Sequence, residues 1–259
     1  MPELPDVDGF RRFLARHAEG RRIVGVEVTD SPIVRNRSRQ ALRRALHGHR
    51  FGSPARHGKW LIAPIDGLEL LLHFGMTGLL GWGDDPQERH RHDRVIFVCD
   101  RGELRYNNMR RFGGVWLAAD EREREAVTGP LGPDAREVDR ERFEQLIVGR
   151  RGAIKAALMD QRLIAGLGNL LSDEILWRAR VNPRTPVADL NPRRRGAVYR
   201  ALHEAVAESV RYGRVPHGQR WLTRVRDDRH PRCPRCGTRL RRGTVAGRTA
   251  VWCPRDQRG

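Results

Sequence analysis

Lysine is almost absent from this sequence of 259 residues. Of the 50 basic residues, only Lys59 and Lys155 are lysines, and the rest are arginines. A compact, mobile ammonium group does chemistry that a planar guanidinium cannot, so the two lysines are candidate functional residues. The alternative is that both lysines have no special function and remain by chance in a genome that favours arginine codons.

Long apolar runs are missing as well. No stretch of the sequence approaches the ~20 apolar residues that a membrane-spanning helix requires, and the N-terminus lacks the apolar segment of a secretory signal. We therefore expect a cytoplasmic protein that is associated with the nucleoid.

Negative charge is scarce. The 50 basic residues face 32 acidic ones, which gives a formal net charge of +18. The isoelectric point is near 11.3. Such an excess predicts a large polyanionic partner, and nucleic acid is the first candidate.

Cysteine is rare, and three of the four cysteines lie near the C-terminus. Cys233 and Cys236 precede a segment with the pattern of a β-hairpin, and Cys253 follows that segment, three residues before Asp256. Two such knuckles around a hairpin are the layout of a zinc ribbon, in which one tetrahedral metal takes the place of a core. Asp256 is the expected fourth ligand and His230 an alternative, unless the hairpin has lost its metal.

Apolar periodicity divides the chain into a strand-rich part and a helical part. Helical spacing predicts a first helix at residues 3–17, and short β-type runs between turn residues then predict an antiparallel β-sandwich. The predicted strands are 23–28, 60–65, 68–74, 95–99, 104–106 and 115–117. Later helices are predicted at 142–149, 153–163, 170–179 and 193–212. The predicted fold class is therefore an α+β multidomain protein.

A highly charged segment with two Gly-Pro pairs separates these two parts and predicts a domain boundary. We expect an N-terminal β-sandwich domain at 1–120, a linker at 121–140, a helical domain at 141–228 and a hairpin module at 229–259.

The first residues of the chain can carry reactive chemistry. If Met1 is removed, Pro2 bears a secondary amine whose ordinary pKa of about 8 leaves a useful unprotonated fraction near neutral pH. Such an amine can attack an electrophilic carbon and form an iminium ion, and Glu3 is close enough to move the protons. The alternative is a simple helix start, because proline suits the first turn and an acidic residue suits the helix dipole.

Three further features suit contacts with nucleic acid. A glycine-rich turn precedes Asn169 at the start of a helix, whose N–H groups can bind a phosphate, although asparagine is equally apt as a helix cap. Arg248 follows the predicted hairpin turn and can grip a phosphate from the tip. Met76 and Phe112 lie in loops with glycines and arginines, and can wedge into a base stack unless they belong to the core.

On these features together, the chain resembles the formamidopyrimidine-DNA glycosylase and endonuclease VIII family of DNA repair enzymes, from residue 1 to the C-terminus. The resemblance rests on Pro2-Glu3-Leu4-Pro5, Gly58-Lys59, His73-Phe74-Gly75-Met76-Thr77-Gly78, Arg110-Arg111-Phe112-Gly113, Ala153-Ile154-Lys155, Asp160-Gln161, Gly166-Leu167-Gly168-Asn169 and Gly247-Arg248-Thr249. It implies a β-sandwich with one N-terminal helix, a helix-two-turns-helix DNA-binding domain and a C-terminal zinc-ribbon hairpin with one structural zinc ion.

The resemblance also implies roles for individual residues. Pro2 would attack C1′ of the damaged nucleotide with Glu3 as its acid–base partner. Lys59 would complete the catalytic set and, with Asn169 and Arg248, clamp the phosphates around the flipped nucleotide. The implied DNA-binding set is Asn169 and Arg248 for the phosphates, and Met76, Arg110 and Phe112 for the gap left by the flipped nucleotide. The abasic site would then be cut by β,δ-elimination. We accordingly expect a monomeric enzyme that acts on double-stranded DNA with oxidised bases or abasic sites.

The chain departs from the family pattern at several positions. Asn108-Met109 replaces the Asp-Pro pair expected before the wedge arginine, and Asp256 replaces a cysteine. The segment 212–232 is short and lacks the Gly- and aromatic-rich stretch that caps a flipped oxidised purine in the formamidopyrimidine branch. We therefore predict activity on abasic sites, oxidised pyrimidines and ring-opened purines, with intact 8-oxoguanine processed poorly.

Two other functions are open at this point. A non-catalytic binder of damaged DNA would keep the phosphate contacts without turnover. A zinc-ribbon RNA-binding protein would explain the basic composition, but it would not explain Pro2 and Glu3 or the wedge loops.

Overall fold

The computed structural model describes residues 1–258, apart from the side chain of Ser31. The chain forms two compact units. The first contains Met1–Pro2 and Asp6–Pro130, and the second contains Glu3–Pro5 and the chain from Leu131 onward. Within the described range, no helix is both long enough and apolar enough to cross a membrane.

The first unit is built on two antiparallel four-stranded sheets. The strands are β1 (Ile23–Val28), β2 (Ala55–His57), β3 (Trp60–Ile65), β4 (Leu68–His73), β5 (Gly78–Gly83), β6 (Asp93–Cys99), β7 (Glu103–Asn108) and β8 (Gly114–Ala118). One sheet has the order β1-β6-β7-β5 and the other the order β2-β3-β4-β8. The helices are α1 (Leu4–His17), α2 (Arg39–Leu46) and α3 (Glu121–Thr128). Alternate strand residues share a face, so the apolar faces of these strands supply one buried core.

All six predicted strands are present, but the structure adds elements that periodicity did not predict. Strand β5 contains three glycines among its six residues, and β2 has only three residues, so neither gives a clear alternating signal. Helix α3 lies inside the predicted linker, where the Asp120 side chain caps it by accepting a hydrogen bond from Glu123 N at 2.8 Å.

The second unit combines helices with a C-terminal hairpin. Its elements are α4 (Arg140–Ile147), α5 (Ile154–Met159), α6 (Asn169–Arg178), α7 (Pro192–Tyr212), β9 (Arg241–Val245) and β10 (Arg248–Trp252). Helix α7 begins after Asn191, whose side chain accepts a hydrogen bond from Arg194 N, and ends at Gly213 in the left-handed conformation. The predicted fold class is confirmed, although α5 is shorter than predicted, because the chain turns at Asp160.

The turn of the β9–β10 hairpin lies at Ala246-Gly247, where the sequence predicts a break between the two strands. Ala246 and Gly247 have φ angles of 47° and 71°, and two consecutive positive φ values are the mark of a two-residue type I′ turn. Arg248 pairs with Val245 across this turn, so Arg248 occupies the tip of the hairpin.

Candidate functional site

Glu3 lies in a buried hydrogen-bonding site of the second unit. Its side chain is fully buried, and its carboxylate accepts hydrogen bonds from three backbone N–H groups. The donors are Gly168 at 2.8 Å, Leu170 at 2.7 Å and Leu171 at 3.1 Å. These groups form the N-terminus of α6, where the helix dipole favours a negative charge. Glu3 is therefore held in one position directly beside Pro2 in the chain.

The turn before α6 is shaped to accept this N-terminal segment. Gln161 Oε1 accepts from Gly166 N at 2.9 Å, and Gly166 O accepts from Leu4 N at 3.0 Å. Gly166 has a φ of 108°, which suits glycine alone. A Cβ at Gly168 would overlap the Glu3 carboxyl group. The glycines of the predicted phosphate turn thus allow close approach of the chain's own carboxylate.

The structure corrects the prediction that the N–H groups at the start of α6 are free to bind phosphate. Three of these groups donate to Glu3. Asn169 begins the helix as predicted, but Gly168 is the N-cap residue, so the Asn169 side chain is not a cap. Within residues 1–258, Asn169 Oδ1 is buried without a hydrogen-bond partner. The three N–H groups that donate to Glu3 are therefore not available to a phosphate.

The predicted wedge residues lie on two loops of the first unit that touch each other. Met76 lies between β4 and β5, and Arg110 and Phe112 lie between β7 and β8. Arg110 N donates to Thr77 Oγ1 at 3.2 Å, which joins the two loops. Met76 is 37% exposed and Phe112 60% exposed, and the Arg110 guanidinium lies 5.0 Å from the Phe112 ring centroid. These side chains belong to the surface and not to the core.

Lys59 lies on the turn between β2 and β3 of the same unit. The next residue, Trp60, pairs with His73, which precedes the Met76 loop. Burial, and to a lesser degree the charge of Lys59, lower the pKa of His73 to about 4. The His73 ring is therefore neutral at physiological pH, and its Nδ1 accepts a hydrogen bond from Gly75 N at 3.2 Å.

Lys155 has a structural role that the sequence did not reveal. Its buried ammonium donates to Asp173 Oδ1 at 2.6 Å and to Thr249 O at 2.6 Å. The second oxygen of Asp173 accepts from Arg226 at 2.7 Å and from Val251 N at 3.3 Å. This network ties α5 and α6 to β10, beside Arg248. Arg248 itself is exposed at the hairpin tip, where it can reach a ligand.

The second unit also gathers the predicted metal ligands. One ligand atom from each of Cys233, Cys236, Cys253 and Asp256 lies within 4.8 Å of the others. The Sγ atoms of Cys236 and Cys253 are 3.5 Å apart, and Cys233 Sγ lies 3.9 Å from Asp256 Oδ2. Three thiols and one carboxylate at these separations can hold a metal ion. In the part of the chain that the structure describes, His230 is not a member of this group.

Comparison with known proteins agrees with this architecture. The family model described as the formamidopyrimidine-DNA glycosylase N-terminal domain matches residues 1–115, and the model of the H2TH domain of the same enzymes matches residues 131–218. Formamidopyrimidine-DNA glycosylase of Acidothermus cellulolyticus is 36% identical, covering 99% of this chain and 97% of the relative. The enzyme of Pelotomaculum thermopropionicum is 33% identical, covering 100% of this chain and 99% of the relative.

Solved structures from Lactococcus lactis are similar over the whole chain. Wild-type Fpg (MutM) with a DNA containing N7-benzyl-Fapy-dG has a TM-score of 0.90 at 27% identity, and both chains are fully covered. Fpg with a DNA containing an abasic site has a TM-score of 0.89 at 26% identity, covering 99% of this chain and 100% of the other. The chain therefore belongs to the formamidopyrimidine-DNA glycosylase family of base-excision DNA repair enzymes.

Proposed function

We propose that the chain excises oxidised bases from double-stranded DNA and cleaves the resulting abasic site, with Pro2 as the nucleophile and Glu3 as its acid–base partner. The observation that carries this proposal is the buried Glu3 carboxylate, which three backbone N–H groups hold in place. Glu3 directly follows Pro2, the residue that becomes the N-terminus when Met1 is removed. A fixed carboxylate beside a secondary amine is the pair that iminium chemistry requires.

In the proposed reaction, the Pro2 nitrogen forms a bond to C1′ as the C1′–N bond to the base breaks, and the base leaves as an anion that takes a proton from water. The C1′–O4′ bond then opens to give an iminium ion, and the proton lost by the amine passes through Glu3 to O4′. Loss of a C2′ proton expels the 3′ phosphate, and a second elimination expels the 5′ phosphate. Water finally hydrolyses the iminium ion and frees the amine.

The remaining residues would deliver the nucleotide to this pair. We propose that Lys59, Asn169 and Arg248 bind the phosphates around the flipped nucleotide. The exposed side chains of Met76, Arg110 and Phe112 would fill the vacated stack. The domains proposed from the sequence, at 1–120, 141–228 and 229–259 with a linker at 121–140, would then supply catalysis, helical DNA contacts and the hairpin tip. Such a substrate would place the protein with chromosomal DNA in the nucleoid.

The metal proposed for the C-terminal cluster is a single zinc ion, because thiolates are soft ligands that suit zinc and the group offers four ligand atoms. Cys233, Cys236, Cys253 and Asp256 would hold it, and it would stabilise the hairpin that carries Arg248. It would supply no chemical step.

We expect Asp256→Ala to weaken zinc binding by at least about tenfold, because a tetrahedral site would lose one of its four ligands. Asp256→Cys should tighten binding, since a thiolate is softer than a carboxylate. Competition with a chromophoric chelator measures both changes. His230→Ala is the matched control and should bind zinc like the wild type. A loss on His230→Ala with none on Asp256→Ala would contradict this ligand set.

The lesion preference proposed from the short segment after α7 has structural support. Trp221 and Arg226 are buried, and Leu222 N donates to Glu174 Oε2 at 2.8 Å. The Trp221 indole also donates to Glu208 at 2.9 Å, beneath the guanidinium of Arg178. A segment packed in this way has little free length with which to cover an intact oxidised purine.

A panel of matched duplexes tests the proposed function. In single-turnover assays we expect cleavage at abasic sites, thymine glycol and formamidopyrimidine. Excision of 8-oxoguanine should be at least about tenfold slower than that of thymine glycol, the equivalent of roughly one hydrogen bond. Equal or faster excision of 8-oxoguanine would contradict the preference. Tight binding without any cleavage would contradict the enzyme itself.

A further inference from the structure

Asn108 is a buried polar residue to which none of the proposed catalytic or DNA-binding roles has been given. It ends β7, and its side chain is fully buried. Its Oδ1 accepts a hydrogen bond from Arg111 N at 2.9 Å. Its Nδ2 donates to Tyr106 Oη at 2.8 Å and to Phe74 O at 3.4 Å. One amide therefore contacts both loops that carry the wedge residues.

In this chain the two ends of the amide have different hydrogen-bonding roles. Tyr106 Oη donates its single proton to His73 O at 2.8 Å, so its oxygen can only accept from Asn108. Burial raises the pKa of Tyr106 to about 12, and the phenol therefore keeps that proton. An aspartate at position 108 has no proton for Tyr106 or Phe74. The amide of Asn108 both donates to the first loop and accepts from the second.

The second loop needs this acceptor because its backbone is strained. Arg111 has a φ of 58°, a left-handed conformation that costs free energy for a residue other than glycine. Its N–H donates to Asn108, its carbonyl accepts from Arg35 at 2.8 Å, and its Nε lies 3.2 Å from Asp30. The strained residue directly precedes Phe112, so these partners fix where the exposed ring points.

The two loops also pack without side chains between them. A Cβ at Gly75 would lie 2.5 Å from Gly113 N, so the backbones are in direct contact. A shift of one loop is therefore passed to the other.

We propose that Asn108 is the positioning residue of the wedge, which holds the Met76 loop and the Arg110–Phe112 loop in one arrangement. The loop positions follow from the contacts above, and the consequence for DNA rests on the proposed function of the wedge. Asn108 acts through its neighbours and touches no substrate.

Hydrogen exchange of the free protein tests the positioning itself. Asn108→Ala should speed amide exchange in segments 74–78 and 108–113 on the order of tenfold, as expected for lost hydrogen bonds. Asn108→Asp keeps the acceptor for Arg111 N and should protect 108–113 better than 74–78. Ile65→Ala, a buried change at the far end of the β3–β4 hairpin, controls for general destabilisation. Unchanged exchange in Asn108→Ala would overturn the proposal.

A duplex with 2-aminopurine opposite a tetrahydrofuran abasic analogue tests the consequence for DNA. Wild-type protein should change the fluorescence, and both Phe112→Ala and Asn108→Ala should remove most of that change, whereas Ile65→Ala should keep it. A full signal in Asn108→Ala alongside a lost signal in Phe112→Ala would overturn the role of Asn108. If Phe112→Ala kept the full signal while Asn108→Ala exchanged faster, the wedge function would fail and the positioning by Asn108 would stand.

Discussion

Glu3→Gln should lower base excision by about three orders of magnitude, within the range that general acid–base catalysis contributes. Both carboxylate oxygens accept backbone N–H groups, one from Leu170 and the other from Gly168 and Leu171. Glutamine offers one oxygen and one NH₂ group, so its NH₂ group would face at least one of the backbone N–H donors that now bind Glu3. The variant loses the proton carrier and the fixed position together. Single-turnover excision of thymine glycol measures the effect.

Two further variants separate catalysis from stability. Glu174→Gln places a glutamine at another fully buried carboxylate of the same unit and should retain excision. Gly168→Ala leaves Glu3 in the sequence but places a Cβ against its carboxyl group, and should also lower excision. Excision by Glu3→Gln at the level of Glu174→Gln would contradict the catalytic role of Glu3.

Lys155→Met should lower the free energy of unfolding by about 1–3 kcal/mol, the usual cost of leaving a buried acceptor without its donor. The substitution leaves Asp173 with Arg226 and Val251 N, and it leaves Thr249 O without its ammonium donor. The hairpin beside Arg248 should loosen, so DNA binding should weaken as well. Denaturant unfolding with zinc present measures the stability.

The matched control is a surface ion pair of the same unit. Arg162 lies 3.1 Å from Asp160, and its side chain is 71% exposed. Exposed pairs contribute about 0–1 kcal/mol, so Arg162→Met should change stability little. If Lys155→Met were no more destabilised than Arg162→Met, the buried network would not be the anchor of the hairpin.

Local sequence signals predicted much of the fold and the metal cluster. The six strands and the main helices followed from periodicity, and the hairpin turn followed from Ala246-Gly247. The cysteine spacing predicted three members of the cluster that could hold a metal ion, and Asp256 lies with them as expected. These features depend on neighbours within a few residues, which sequence patterns record directly.

Contacts between distant residues could not be predicted in the same way. Glu3 receives its hydrogen bonds from residues more than 160 positions away, so the N–H groups of α6 were assigned to phosphate and not to this carboxylate. Lys155 was singled out by its rarity, but its partners Asp173 and Thr249 carry no motif of their own. The roles assigned to Pro2 and to the DNA-contacting residues are still predictions.

The amines of this chain make the central claim unusually easy to test. Besides the N-terminus, the only amine side chains are those of Lys59 and Lys155, and Lys155 is fully buried. Borohydride reduction of a complex with abasic-site DNA converts an iminium ion into a stable adduct, which mass spectrometry can assign to a peptide. We predict an adduct on the Pro2 nitrogen of protein whose Met1 has been removed, and none on protein with one uncleaved residue before Pro2. An adduct on Lys59, or an equal yield from the extended protein, would contradict Pro2 as the nucleophile.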